Sequence, residues 1–172
     1  MLYQKNKVTI IAEAGVNHNG KFSLAKKLVD IASSCGADFI KFQTFNPNSI
    51  STSKGKVAPY QQKIISKNIK QKQLLRKLAL SNNDFVKLYK YCKKKKIKFL
   101  SSPFDLQSIF FLKNKFNLKY FKIPSGEITN YPYLKTVAKV KKEILLSTGM
   151  STIKEIKDAK SLLIKNGVKK EN

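Results

Sequence analysis

The strict alternation of apolar segments and helical patterns is the feature that most constrains how this chain can fold. Each apolar segment is short, rich in Ile, Leu, Phe or Val, and ends in polar or turn residues; the five segments cover residues 8–14, 37–44, 97–105, 119–127 and 143–150. Near-continuous apolar runs of this length are typical of parallel strands that are buried on both faces. A helical pattern follows each of them, so the chain is predicted to form five right-handed βα units with a parallel sheet.

Several residues have the type and spacing of helix caps. The predicted N-caps, with their partners where the spacing gives one, are Ser81 with Asp84, Thr152 with Glu155, and Asp105. Pro132 fits the first turn of a helix, and the Asn-Gly pair at 166–167 is expected to end the last helix. These signals support the helix boundaries that the apolar periodicity predicts.

The periodicity also predicts which side chains are buried. Two helices are expected to bury one face each, formed by Leu24, Leu28, Ile31 and Ala32 in the first and by Phe85, Leu88, Tyr89 and Cys92 in the second. Val8, Ile10 and Ile11 are expected to belong to a buried strand. Cys35 and Cys92 both fall in helical patterns, and we interpret them as buried free thiols of a cytoplasmic protein.

Two architectures are compatible with five βα units. An open, doubly wound nucleotide-binding sheet usually has a glycine-rich phosphate turn after its first strand, and "EAGVNHNG" (13–20) is not such a turn. A (β/α)₈ barrel needs about 250 residues and eight units, whereas this chain of 172 residues offers five. The connection from residue 44 to about 72 is long and polar, and in a barrel it would lie over the mouth of the site.

The net charge of +25 raises the hypothesis of a basic nucleic-acid-binding module. Against it, Arg76 is the single arginine, while nucleic-acid readers depend on arginine for bidentate contacts. We therefore favour lysines on the solvent faces of an ordinary fold, which would still attract an anionic substrate, and expect no nucleic-acid partner. The apolar runs are far shorter than the ~18 residues of a membrane span, so we expect no membrane association.

Polar side chains stand at the carboxyl end of every predicted strand, which is where parallel α/β folds bind ligands. They are Glu13, Asn17 and His18; Lys41 and Gln43; Ser101, Ser102 and Asp105; Lys122, Ser125 and Glu127; and Ser147 and Thr148. Two lysines with apolar flanks, in "FIKFQ" and "YFKIPS", together with several hydroxyls, indicate a phosphate site. Glu13 is expected to have cationic neighbours there, because an unpaired buried carboxylate costs several kcal/mol. We interpret His18 as a turn residue.

Five ordered stretches resemble the sialic acid (nonulosonic acid) synthase family. The stretches are "AEAGVNHNG", "GADFIKFQT", "FLSSPFD", "FKIPSGEITNYPYL" and "ILLSTGM", between residues 10 and 150. The "APYQ" segment (58–61) is similar to the legionaminate branch of the family. The resemblance implies a TIM-barrel enzyme that condenses phosphoenolpyruvate with an N-acetylated mannose-type sugar and releases phosphate by C–O cleavage. It also implies a divalent metal, Mn²⁺ or Mg²⁺, that polarises the open-chain aldehyde.

The resemblance assigns roles to residues that match the motifs. Four of them would hold phosphoenolpyruvate: Lys41, Ser102, Lys122 and Ser125. Glu13 and Gln43 would face the sugar, with Glu13 as the acid/base. Ser147 would contact the substrate-binding side chains and not the substrate itself. The family's metal-binding histidines, its last three βα units and an antifreeze-like domain that reaches the partner subunit of a homodimer would follow the fifth strand. We therefore expect residues 1–172 to be the N-terminal portion of the barrel, without metal ligands and inactive alone.

One enzymatic alternative uses the same barrel. Lys122 could act as the amine nucleophile of a Schiff-base aldolase. Trapping of pyruvate on this lysine by borohydride would distinguish that aldolase from a phosphoenolpyruvate-dependent synthase.

Overall fold

The computed structural model of the chain describes residues 8–52, 54–55, 57 and 69–170. In this part of the chain the strands are β1 (Ile11–Gly15), β2 (Phe39–Thr44), β3 (Lys98–Pro103), β4 (Tyr120–Ile123) and β5 (Glu143–Leu146). The helices are α1 (Phe22–Ser34), α2 (Pro47–Ile50), α3 (Gln71–Leu78), α4 (Asn82–Lys94), α5 (Leu106–Lys115), α6 (Tyr131–Ala138) and α7 (Ile153–Lys165). A 3₁₀ turn, Ser125–Glu127, follows β4. The predicted alternation of strands and helices is thus confirmed.

The strands are parallel and follow one another in chain order. β1, β2 and β3 form one sheet, β4 and β5 form a second, and β3 contacts β4. A doubly wound sheet reverses its strand order at a switch point, and no reversal occurs along β1 to β5. The observed order is the one that strands of a barrel follow.

The two faces of the strands bury different sets of side chains, because successive residues of a strand point to opposite sides. The outer face packs against the helices, with Ile40, Phe42, Phe99, Phe121 and Ile123 in that core. The inner face carries a smaller cluster, formed by Phe39, Leu100 and Tyr120 with Ile11 and Leu145 beside them. Burial on both sides explains why the strand segments are apolar almost throughout.

The predicted helix caps are confirmed. Ser81 accepts the backbone N–H of Asp84 at 3.1 Å, and Thr152 and Glu155 form a reciprocal capping box. Asp105 accepts the N–H of Ser108 at 2.8 Å, Pro132 lies in the first turn of α6, and Asn166 caps the end of α7. The predicted face of α4 is also confirmed, since Phe85, Leu88 and Cys92 are buried.

Three burial predictions are wrong in part. In helix α1 Ala32 is buried and Leu28 packs against the core as expected, but Ile31 is 59% exposed, because the stripe of residues that faces the core starts at Ala25 and continues to Val29 and Ala32. Val8 is 82% exposed and Ile10 54%, since the first strand begins only at Ile11. Cys35 is exposed because it follows the last turn of α1; Cys92 is buried, and both are free thiols.

The long connection after β2 contains structure of its own. It holds the short helix α2, and α3 begins at its end. The "APYQ" segment, residues 58–61, lies outside the described residues. The end of α3 packs against the turn after β1: a Cβ added to Gly20 would lie 2.1 Å from the carbonyl oxygen of Lys77. Gly20 also has φ +71°, so both the backbone conformation and the lack of space require a glycine in this turn.

No helix in the described ranges is long and apolar enough to cross a bilayer.

Candidate functional site

The carboxyl ends of the inner faces carry polar side chains, and the apolar inner cluster of Phe39, Leu100 and Tyr120 lies between them and the amino ends. In the ladders Glu13 is opposite Lys41, and Gln43 is opposite Ser102. Paired residues of parallel strands point to the same side, so these four side chains share the inner face. Lys122 follows Tyr120 by two residues and joins that face from β4. The strands therefore bring most of the predicted site residues together at one end of the fold.

Glu13 forms an ion pair with Lys41 across β1 and β2. The Lys41 side chain is only 15% exposed, while that of Glu13 is 52% exposed. Gly15 provides space for this pair: a Cβ there would lie 3.2 Å from Glu13 Oε1 and 3.6 Å from Gln43 Nε2. The Glu13 carboxylate and the Gln43 amide thus both lie next to Gly15. Lys41 is the cationic neighbour that the sequence predicts for Glu13.

Lys122 is held by two acceptors, one on its own strand and one directly after the neighbouring strand β5. Its Nζ donates to Ser147 Oγ at 2.5 Å and to the carbonyl oxygen of Ile123 at 2.7 Å. Burial lowers the pKa of the Lys122 ammonium to about 8, the charge of Lys41 contributes to the lowering, and Glu13 opposes it. An anion bound beside Lys122 would offset the repulsion from Lys41 and favour the charged form of Lys122.

The serines of the predicted site occupy three different positions in the cluster. Ser125, in the turn after β4, lies against the turn after β5, since a Cβ on Gly149 would be 3.5 Å from its hydroxyl oxygen. Ser102 is buried beside Gln43 on the inner face. Ser147 contacts Lys122 directly. The Ser147 hydroxyl therefore contacts Lys122 from the end of β5, and Ser102 lies opposite Gln43 on the inner face.

Other predicted strand-end residues lie away from this cluster. Ser101 is opposite Phe42 on the outer face, where its hydroxyl bonds to Thr44 at 2.7 Å, so its expected place at the opening is wrong. Asp105 accepts hydrogen bonds from Ser108 and from the N–H of Asn46. Its interpretation as a helix cap is confirmed.

His18 is 1% exposed and lies beside Phe42, with the ring centroids 6.0 Å apart. Its Nδ1 accepts the N–H of Gly20 at 3.1 Å, and burial lowers its pKa. The interpretation of His18 as a turn residue is confirmed by this bond. Its Nε2 is buried without a hydrogen-bond partner among the described residues.

Sequence reasoning missed two glycines that shape the site. Gly15 and Gly149 leave room for the side chains of Glu13, Gln43 and Ser125. The available signal was their position, Gly15 as the last residue of β1 and Gly149 in the turn after β5, because a glycine at such a place often marks a close approach of other groups.

The described residues do not supply a metal site. No group of three or more His, Cys, Asp or Glu side chains in these ranges could hold a metal ion. His18, the single histidine, has its Nδ1 engaged within its own turn. The residues at hand therefore do not fit a divalent cation, and the expected metal, held by ligands outside this chain, stays a prediction.

Comparison with known proteins gives one family and a set of enzymes. The family model described as NeuB family matches residues 28–171. The chain is 52% identical over 166 residues to N,N'-diacetyllegionaminic acid synthase of Campylobacter jejuni, covering 96% of the chain and 49% of that protein. It is 33% identical over 148 residues to N-acetylneuraminate-9-phosphate synthase of Homo sapiens, covering 86% of the chain and 41% of that protein.

A solved structure agrees with these relatives. The crystal structure of N-acetylneuraminic acid (sialic acid) synthetase from Leptospira borgpetersenii, in complex with citrate, superposes with a TM-score of 0.77 at 30% identity. The superposition covers 94% of this chain and 51% of that one. The chain thus spans about half the length of the relatives it matches.

Proposed function

The chain belongs to the NeuB family, and from that premise we propose that it carries the phosphoenolpyruvate-binding part of a nonulosonic acid synthase. The fold would be the first five βα units of a TIM (β/α)₈ barrel, a proposal supported by the unreversed order of the parallel strands. The reaction is the condensation of phosphoenolpyruvate with an N-acetylated mannose-type sugar. The observation that carries it is the position of Lys41 and Lys122 on one inner face, where the charge of Lys41 contributes to the lowered pKa of Lys122 and a bound anion would offset the repulsion.

Each proposed role follows from the chemistry of the side chain. Lys41, Lys122, Ser102 and Ser125 bind phosphoenolpyruvate, because ammonium and hydroxyl groups donate to phosphate and carboxylate oxygens. Glu13 and Gln43 face the sugar, supported by their common position over Gly15. Glu13 is also the acid/base, since its carboxylate is more exposed than its partner Lys41 and can reach a second reactant.

The proposed chemistry forms one C–C bond and breaks one C–O bond. C3 of phosphoenolpyruvate attacks the aldehyde carbon of the open-chain sugar, and the aldehyde oxygen takes a proton from the Glu13 carboxyl group. Water adds to C2 and returns a proton to the Glu13 carboxylate. The bond between C2 and the bridging oxygen then breaks, phosphate leaves with that oxygen, and the C2 hydroxyl gives its proton to the departing phosphate as it becomes the keto group. Lys41 and Lys122 stabilise the negative charge on the departing phosphate. No step is assigned to a metal.

The sugar is proposed from the relatives. The 52% identity to N,N'-diacetyllegionaminic acid synthase favours a 2,4-diacetamido-6-deoxymannose substrate over N-acetylmannosamine. Sialic and pseudaminic acid synthases are relatives at 33% identity. The homodimer and the antifreeze-like domain stay predictions.

Binding can be tested on the chain itself by lysine labelling. Acetic anhydride at limiting concentration labels accessible neutral amines, and mass spectrometry measures the labelled fraction at each lysine. We expect phosphoenolpyruvate to protect Lys41 and Lys122, while Lys160, an exposed lysine of α7, serves as the internal control. Equal labelling of both site lysines with and without saturating phosphoenolpyruvate would contradict the proposed site.

Activity can be tested in a fusion. The chain would be joined to the part of the Campylobacter jejuni enzyme that the alignment leaves uncovered, about half of its length. With phosphoenolpyruvate labelled by ¹⁸O at the bridging position, we expect the label in the released phosphate. Label retained in the keto acid would contradict C–O cleavage. The unfused chain is the control, and we expect it to be inactive.

One observation favours a second function. A lysine with a pKa near 8 is partly neutral at physiological pH, as the nucleophile of a Schiff-base aldolase must be. Borohydride reduction in the presence of pyruvate, followed by peptide mapping, would reveal a covalent adduct on Lys122 if this alternative holds.

A further inference from the structure

A cleft of about 430 Å³ opens at the amino ends of the strands, opposite the candidate site. It lies where β3 and β4, which are not laddered to each other, stand side by side, and α4 closes its outer side. The volume falls in the range of small-molecule sites. None of the residues that line the cleft belongs to the candidate site described above.

Four lysine side chains give this cleft a positive charge. Lys93, Lys96, Lys98 and Lys119 line it, and Asp38 is the one carboxylate among the lining residues. Asp38 accepts the N–H of Ile10 at 2.9 Å, and Lys119 faces Glu143 at 3.9 Å. Within the described ranges no carboxylate lies at ion-pair distance from the other three lysines. Clustered charges without counter-ions raise the local potential and attract anions.

Aromatic rings form much of the remaining wall. Lys98 Nζ lies 5.1 Å from the ring centroid of Phe39, and Lys93 Nζ lies 4.6 Å from that of Tyr89. Phe39 also packs edge-on against Tyr120, at 5.7 Å between centroids. Ammonium groups over ring faces are held by cation–π attraction. The cleft therefore combines positioned cations with aromatic side chains in its wall.

We propose that this cleft binds a phosphate monoester with a planar apolar body. Phosphate matches several separate ammonium groups, each of which acts as a point charge. A planar group matches the ring walls, by stacking or edge-to-face contact. A neutral ligand would not balance the positive charge of the lysines, and a wholly hydrophilic anion would make no apolar contact with the aromatic rings. This site is independent of the proposed synthase activity.

Calorimetric titration with phenyl phosphate and with inorganic phosphate tests the proposal. The chain would carry Lys41→Gln and Lys122→Gln, so that binding at the carboxyl ends of the strands does not contribute. We expect phenyl phosphate to bind about five-fold more tightly than phosphate, because an aromatic contact adds about 1 kcal/mol. Adding Lys96→Gln and Lys98→Gln should weaken phenyl phosphate about ten-fold, as loss of charge-assisted contacts implies.

Two controls make the test decisive. Lys113→Gln with Lys160→Gln removes the same net charge from exposed helix positions and should leave the affinity within about two-fold. NMR shift mapping on the unsubstituted chain requires no variant to fold, and phenyl phosphate should shift the amides of residues 96–99 and 118–120. Equal affinity for the two probes, an equal loss in both lysine pairs, or shifts confined to the carboxyl ends would each overturn the proposal.

Discussion

Lys122 Nζ donates a hydrogen bond of 2.5 Å to Ser147 Oγ, joining the middle of β4 to the residue after β5. The backbone continues the same link, since the N–H of Ser147 donates to the carbonyl oxygen of Ile123 at 3.1 Å. The ammonium is thus held both by its own strand, through the carbonyl oxygen of Ile123, and by the residue that follows the neighbouring strand. This relationship makes Ser147 the residue that fixes the direction of a half-buried cation.

Ser147→Ala should weaken phosphoenolpyruvate binding by about five-fold, because Lys122 loses an acceptor and becomes free to adopt other rotamers. Ser147→Thr keeps the hydroxyl and should bind almost as tightly as the unsubstituted chain. Titration calorimetry of both variants measures the effect. If alanine and threonine at this position gave the same dissociation constant, the hydroxyl would have no positioning role.

Lys122→Met should stabilise the fold while weakening phosphoenolpyruvate binding by ten-fold or more. Burial of the ammonium is unfavourable, as its lowered pKa indicates, and methionine fills a similar space without charge. After allowance for the partial exposure of Lys122, the gain in free energy of unfolding at neutral pH is about 1–2 kcal/mol. Urea denaturation at neutral pH gives this value, and a destabilised variant would show that the lysine serves the fold.

The stability gain of Lys122→Met should disappear with increasing pH. The pKa of Lys122 is about 8 in the folded chain and 10.5 in the reference state, so the unfolded chain binds more protons between these values. The unsubstituted chain therefore gains stability as pH rises from about 8 to about 10.5. Urea denaturation of both chains across this range should show the difference shrinking. A constant difference would mean that Lys122 has an ordinary pKa.

Glu13→Gln should abolish the proposed condensation, with at least a hundred-fold lower kcat in the fusion described above, because the amide cannot act as an acid/base. The same variant should still bind phosphoenolpyruvate, since Lys41 is released from its ion pair with Glu13. Product formation and lysine protection measure the two properties separately. Retained turnover would assign the acid/base role to another group.

Gly20→Ala should destabilise the chain by about 3 kcal/mol or more, since the new Cβ would overlap the carbonyl of Lys77 and the backbone has a positive φ. Gly36→Ala is the matched control: its φ is +76°, and a Cβ there would meet nothing within 4 Å. It should lose only about 1 kcal/mol, the cost of the left-handed conformation. Thermal and urea denaturation of the two variants compare them directly.

The local features of the fold could be predicted from the sequence. Apolar runs, helical periodicity and caps such as Ser81 and Thr152 depend on residues a few positions apart, and the structure contains them where they were expected. The polar residue types at the strand ends are equally local, so Lys41 and Lys122 could be identified as candidates. Helix α1 shows what a local pattern does not predict. Packing against the rest of the fold decides that Ala25 and Val29 are buried while Ile31 is exposed.

Tertiary structure decided which of these side chains meet. Ser101 and Ser102 are equivalent in sequence, but the register with β2 turns Ser101 toward Thr44 and Ser102 toward the inner face beside Gln43. The Glu13–Lys41 pair and the lowered pKa of Lys122 likewise require strands that are distant in the chain. The physical reason is the two-residue period of a strand: a shift of one residue in register reverses every side chain, and only packing between distant segments fixes that register.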